Sequence, residues 1–296
     1  MAVGGLERTN LRDGYANLAD ARLHYVEAGE GPLVVLLHGF PEFWFSWRFQ
    51  IPPLVAAGFR VVAPDMRGYN LSSRPSKASA YDIDRLAADV RDLIRERGAE
   101  RALLAGHDWG AAAAWVAAMN HPEVVERLAI LNAPHPRRML HGLRRPRQLA
   151  RSWYMLFFQL PWLPELAARA GGWWGWRRLF ENEARPGAFM PQDIERYVEA
   201  WSQPGAPTGM INYYRAALRQ TPGRAEARIR PVETPTLVIW GQRDRHLGAE
   251  LAEPERADVP NLERIVRLPE PSHWVHQDEP ERVSQLLVDF FGRQVA

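Results

Sequence analysis

The sequence predicts an α/β fold: a mostly parallel β-sheet with helices on both faces, interrupted by a long helical insertion. Three observations point there. Short apolar runs alternate with amphipathic stretches through the first 135 residues. The alternation stops near Asn132-Ala-Pro-His-Pro136, and residues 137–221 carry no clear strand pattern. It then resumes at Thr236. Repeated strand–helix–strand units build parallel sheets covered on both faces. The 296 residues exceed the ~100–200 of an ordinary domain, so a large core with an insertion fits the length.

The elements follow in order. Residues 14–28 read as an opening hairpin that turns between Asn17 and Asp20. Leu33-Val-Val-Leu-Leu37 is a continuous apolar run, as expected of a strand buried on both faces. Arg60–Ala63, Arg101–Ala105 and Arg127–Leu131 have the same character. Helical patterns occupy the intervals at about Phe45–Ala57, Tyr81–Arg97 and Trp109–Asn120, and Asp82–Val90 spaces its apolar residues for one helix face. After the Trp-, Arg- and Pro-rich insertion come strands at Thr236–Trp240 and Glu263–Arg267, then an amphipathic helix, Glu279–Phe291. The expected division is a core of residues 1–135 and 222–296 with a helical domain of residues 136–221.

Composition removes several classes. With no Cys there are no disulfides, thiolate metal sites or Cys nucleophiles. A net charge of +2, from 37 basic and 35 acidic residues, argues against nucleic acid as a partner. The arginines between Arg137 and Arg151 read as a solvated helix or loop, with a basic patch as the competing reading. The N-terminal decapeptide lacks an apolar signal region, which leads to the expectation of a cytoplasmic protein. No run reaches the ~18 apolar residues of a membrane span, so no membrane insertion is expected. Trp173-Trp-Gly-Trp176 reads as core or tunnel wall of the insertion, with a membrane-interface belt as the competing reading.

The chemistry lies at predicted strand ends. Gly106-His-Asp-Trp-Gly110 joins a strand to a helix, and its small residues permit a sharp turn that projects the central residue. That residue is Asp108, a candidate carboxylate nucleophile; its plainer role is a helix cap. Asp244 follows the strand ending at Trp240, and His273 lies between the last strand and the last helix. The order nucleophile, acid, His is that of α/β-hydrolase triads. His273 is then the general base, and Asp244 fixes its tautomer and stabilises its charged form. After the first buried strand comes His38-Gly-Phe-Pro41, where Gly39 admits close backbone approach and Pro41 fixes the turn. The backbone N–H groups of Phe40 and Trp109 are placed to form an oxyanion hole. Glu42 is positioned either to orient water beside His273 or simply at the surface.

Four segments spread over most of the chain carry a resemblance: His38–Trp47, Asp65-Met-Arg-Gly-Tyr69, Gly106–Gly110 and Ser272–Gln277. Together they resemble the epoxide hydrolases of the α/β-hydrolase fold. The resemblance implies a mostly parallel eight-stranded sheet with an inserted helical cap and a small apolar epoxide plus water as substrates. It implies no cofactor and no metal. It also implies two cap tyrosines that donate to the epoxide oxygen. The match falls on Tyr154 and on Tyr214, with adjacent Tyr213 as the competing assignment. A phenol suits the task because it donates to an alkoxide yet stays protonated at neutral pH. A haloalkane or haloacid dehalogenase with the same Asp nucleophile is the alternative. Phe40 stands where such enzymes often place Asn, and Trp109 where haloacid enzymes tend to place Arg. Monomer and homodimer both remain open.

Overall fold

In the computed structural model, which describes residues 5, 6 and 9–293, eight strands form one sheet. They are β1 (Arg12–Asn17), β2 (Arg22–Ala28), β3 (Leu33–Leu37), β4 (Arg60–Pro64), β5 (Ala102–His107), β6 (Val125–Leu131), β7 (Thr236–Gly241) and β8 (Leu262–Leu268). The order across the sheet is β1-β2-β4-β3-β5-β6-β7-β8. β1 and β2 form the antiparallel opening hairpin, β2 runs antiparallel to β4, and every other neighbouring pair is parallel.

Side chains alternate across the central strands, and each set meets a different helical layer. Val35 and Leu37 of β3 and Leu104 of β5 pack with α2 (Ile83–Glu96) and α3 (Trp109–Asn120). Val34 and Leu36 of β3 and Leu103 and Ala105 of β5 face α1 (Ile51–Ala56) and the last helix. Helix α3 has the predicted bounds. The stretch 45–57 is not one helix: Trp44–Trp47 forms a single 3-10 turn, and α1 begins at Ile51. Pro52 and Pro53 explain the break, because a residue without an N–H is tolerated only in a helix's first turn.

Between β6 and β7 the described residues form helices and no strand: α4 (Pro136–Leu143), α5 (Pro146–Arg151), α6 (Trp153–Phe157), α7 (Leu163–Glu183), α8 (Pro191–Trp201), α9 (Ala206–Leu218) and α10 (Pro222–Ala227), the last beyond the expected 136–221. Helix α7 is kinked where Ala170, Gly171, Gly172 and Trp173 leave helical geometry. The chain ends with α11 (Val275–Asp278) and α12 (Pro280–Phe291). Val283, Leu286, Leu287, Phe290 and Phe291 of α12 are buried. At roughly 1.5–3 kcal/mol per such side chain, this helix firmly anchors the loop before it, which carries His273. Among the described residues, no helix is long and apolar enough to cross a membrane.

Candidate active site

Ligands of open parallel sheets bind beyond the carboxyl ends of the strands, and there the predicted residues converge. Asp108 follows β5, the His38–Pro41 loop follows β3, Asp244 follows β7, and His273 follows β8. The strained turn after β5 places Asp108 at φ 49°, in the left-handed region that non-glycine residues seldom occupy. Gly110 makes the turn possible, because a Cβ there would overlap the carbonyl oxygens of Leu37 and His38. Gly39 is needed for the same closeness; its Cβ would collide with the Asp108 side chain. Asp108 makes no side-chain cap bond to α3. Its carboxylate turns to the site instead.

Phe40 N donates to Asp108 Oδ1 at 2.8 Å, and His273 Nε2 lies 3.6 Å from Asp108 Oδ2. The Phe40–Pro41 peptide is cis. His38 holds this loop, accepting from Met66 N at 2.9 Å through Nε2 and donating from Nδ1 to Gly39 O at 3.0 Å. Trp109 is the first residue of α3, so its N–H has no partner within the helix.

His273 Nδ1 donates to Asp244 Oδ2 at 2.7 Å. Three further donors hold Asp244: Asn132 Nδ2 on Oδ2, and His246 N and Leu247 N on Oδ1, each at 2.8 Å. Burial works against the Asp244 charge, but His273 beside it, then His246 and Asn132, bring its pKa down to about 2. Burial likewise disfavours the His273 cation, but the Asp244 and Asp108 carboxylates flanking it raise its pKa well above the usual histidine value. Asp108 also stays below its ordinary value: burial pushes up, and His273, His107 and the Phe40 N–H outweigh it.

Two tyrosines come down from the insertion. The rings of Tyr154 on α6 and Tyr214 on α9 meet edge-on at 5.7 Å. Tyr214 packs against Trp109 at 5.1 Å and Phe40 at 5.3 Å, and Tyr154 against His246 at 5.6 Å. Burial, then the nearby Asp108 charge, raises the pKa of both phenols. Tyr213 points elsewhere, its hydroxyl donating to Arg67 O at 2.7 Å. Phe158 and Trp176 join Phe40 around the two tyrosines and give the site an apolar wall. Trp173 and Trp176 are buried, whereas Trp174 between them is exposed.

Glu42 is buried rather than at the surface. Glu42 Oε2 accepts from Gly39 N at 3.2 Å and lies 2.8 Å from His107 Nδ1; His107 Nε2 in turn donates to the His273 carbonyl at 3.0 Å. Glu42, His107 and His276 bring atoms of metal-ligand type within 4.8 Å of one another. Both ring nitrogens of His107 are hydrogen-bonded, whereas Glu42 Oε1 and both ring nitrogens of His276 have no hydrogen-bond partner among the described residues, with His276 Nε2 3.5 Å from Glu42 Oε1.

Sequence reasoning missed Asn132. It follows β6 at φ 42°, and its Oδ1 also accepts from Gly241 N at 2.8 Å. The signal was available: a polar residue immediately beyond a central strand, on the edge that carries the other site residues.

Sheet, strand-end acid, histidine and overlying helical insertion define the α/β-hydrolase class. A family model described as "alpha/beta hydrolase fold" matches residues 32–280. An AB hydrolase superfamily protein of Bacillus subtilis is 42% identical over 95% of this chain and 98% of its own length. Human epoxide hydrolase 4 is 40% identical over 95% of this chain and 79% of its own. A crystal structure of a Bacillus megaterium epoxide hydrolase superposes with a TM-score of 0.86 at 31% identity, covering 95% of this chain and all of that one. The chain belongs to the epoxide hydrolase family of α/β hydrolases.

Proposed function

We propose that this protein hydrolyses epoxides to vicinal diols through a covalent ester on Asp108. One observation carries the reading: a carboxylate at the strained turn, with one oxygen on the Phe40 N–H and the other facing His273, under a buried tyrosine, Tyr214, and a partly buried one, Tyr154. Residues 136–221 act as the cap over the sheet edge, since they supply both tyrosines.

In the first step Asp108 Oδ2 attacks an epoxide carbon and the carbon–oxygen bond breaks. The departing oxygen takes a proton from Tyr154 or Tyr214, leaving a hydroxyalkyl ester. Esterification removes the Asp108 charge. One of the two carboxylates that held the proton on His273 is then gone while its burial remains, so its pKa falls, it passes that proton to the phenolate, which restores the phenol, and it becomes a base. His273 takes a proton from water, and the hydroxide adds to the ester carbonyl. The Phe40 and Trp109 N–H groups hold the resulting oxyanion. Collapse expels the alkoxide, which takes the proton left on the Asp108 carboxyl. His273 keeps the proton it took from water and again lies protonated between the Asp108 and Asp244 carboxylates. The sum is epoxide plus water to diol. Glu42, through His107, steadies the His273 backbone and has its second oxygen available to orient the water.

The test is a pair of variants challenged with aryl and alkyl epoxides. His273→Gln should open the ring once and stall, giving an adduct with the mass of protein plus substrate. Asp108→Ala should give none. Epoxide turnover by Asp108→Ala sinks the mechanism. A parent protein that leaves epoxides untouched but releases halide from haloalkanes sinks the activity itself in favour of dehalogenation.

A further inference from the structure

Leu149, Trp153, Leu156 and Leu160 follow one another at intervals of four, three and four, the spacing of a single helix face. In α5 and α6 that face points outward. Trp153 is 64% exposed and all three leucines are exposed. The other side of α6 carries Met155 and Phe158, which are buried, and Tyr154. The exposed face continues through Pro161, Trp162, Leu163 and Leu166 into the start of α7, with Trp162 69% exposed. Trp162 adopts a left-handed backbone (φ 51°), a conformation that bulky side chains rarely accept.

Charge in the same part of the chain is one-sided. Residues 137–178 hold nine arginines and one acid, Glu165, although the whole protein is only +2. Glu165 is itself paired with Arg215. Arg145, Arg147 and Arg169 are exposed, and among the described residues none of them makes an ion pair. Exposed Trp and Leu bordered by arginine is the composition of segments that lie in a membrane interface without crossing it.

We infer that the outer face of α5, α6 and the start of α7 docks on an anionic lipid surface. A second copy of the chain fits this face poorly, because a two-fold contact would set arginine against arginine. The surface is one helix thickness, about 10 Å, from Tyr154. This inference is independent of the reaction proposed for the site.

The test is sedimentation of the intact protein with vesicles at about 0.1 M salt, where screening reaches about 10 Å. Vesicles of phosphatidylcholine alone are compared with vesicles containing about 30% phosphatidylglycerol, a strongly anionic surface. Binding should be at least about tenfold tighter to the anionic vesicles and accompanied by a blue shift of Trp emission. The double variant Arg145→Glu/Arg147→Glu should weaken binding by about 25-fold or more, at about fivefold per arginine. Trp162→Ser/Leu166→Ser should weaken it and remove the blue shift, with unchanged thermal melting showing that both variants fold. Three results overturn the inference: no sedimentation with anionic vesicles, equal affinity for both compositions, or a dimer in light scattering that Trp162→Ser dissociates.

Discussion

Two adjacent tyrosines on α9 have opposite fates, because neighbouring helical residues point about 100° apart. Tyr213 is tied to the Arg67 carbonyl, while Tyr214 looks across Trp109 toward Asp108. Phenylalanine substitutions should separate them in steady-state kinetics. Tyr154→Phe and Tyr214→Phe each remove a donor to the developing alkoxide and should lower epoxide turnover by about a hundredfold; the double variant should be nearly inactive. Tyr213→Phe should keep turnover within a few-fold and cost about 1 kcal/mol of stability in urea titration. A large loss of turnover in Tyr213→Phe with little in Tyr214→Phe would reverse the assignment. Sequence alone left this pair open, since both residues are tyrosine and only the helix phase decides. Asn132 escaped for a related reason: its function depends on a carboxylate 112 residues away.

Core and insertion are joined by a few buried polar contacts between elements. Arg48, just before α1, donates to Gln277 on α11 at 2.7 Å and to Asp193 on α8 at 3.1 Å, and all three are buried. Trp201 at the end of α8 donates to the Pro41 carbonyl at 2.6 Å. Removing one member of a buried pair strands the other charge, at a cost of about 3–5 kcal/mol. Asp193→Ala should therefore lose about that much in urea unfolding. The double exchange Arg48→Met/Asp193→Leu should lose much less, because neither charge remains. A loss below about 1 kcal/mol in Asp193→Ala would show the pair to be energetically idle. At this scale α2, α3 and α12 were legible from periodicity and the helices between β6 and β7 only as one helical region, whereas α1 was overextended because Pro52 and Pro53 were read as interior residues rather than as a start.

Acid should weaken the whole molecule through the site. Asp244 titrates at about 2 when folded, against about 3.9 unfolded. Its carboxylate thus stabilises the fold above about pH 4, and that contribution disappears as the pH falls through about 2. Asp244→Asn has no such titration. Its stability deficit relative to the parent should shrink by about 2 kcal/mol between pH 6 and pH 2, measured by chemical denaturation at each pH. A deficit that stays constant would mean the carboxylate is not held in this way. The overall fold was largely readable because buried parallel strands are short apolar runs, and Leu33–Leu37 and Thr236–Trp240 are such runs. The depth of the Asp244 shift was not, because the donors to its carboxylate are gathered from three loops, those after β6, β7 and β8.

The bond from Phe40 N to Asp108 Oδ1 distinguishes the two carboxylate oxygens, and under the proposed mechanism the protein then keeps a record of its own history. Oδ2 leaves with the first diol, and the oxygen that replaces it comes from solvent. With Oδ1 pinned to the Phe40 N–H, the newcomer has to occupy the attacking position. In ¹⁸O-water the first diol made by each molecule should carry no label, and every later one should carry it fully. The protein itself should retain one unlabelled oxygen on Asp108 throughout. A carboxylate free to flip between turnovers would instead give a second diol that is about half labelled, with enrichment rising gradually from one cycle to the next. Mass spectrometry of diols from one, two and three equivalents of epoxide distinguishes a step from a ramp.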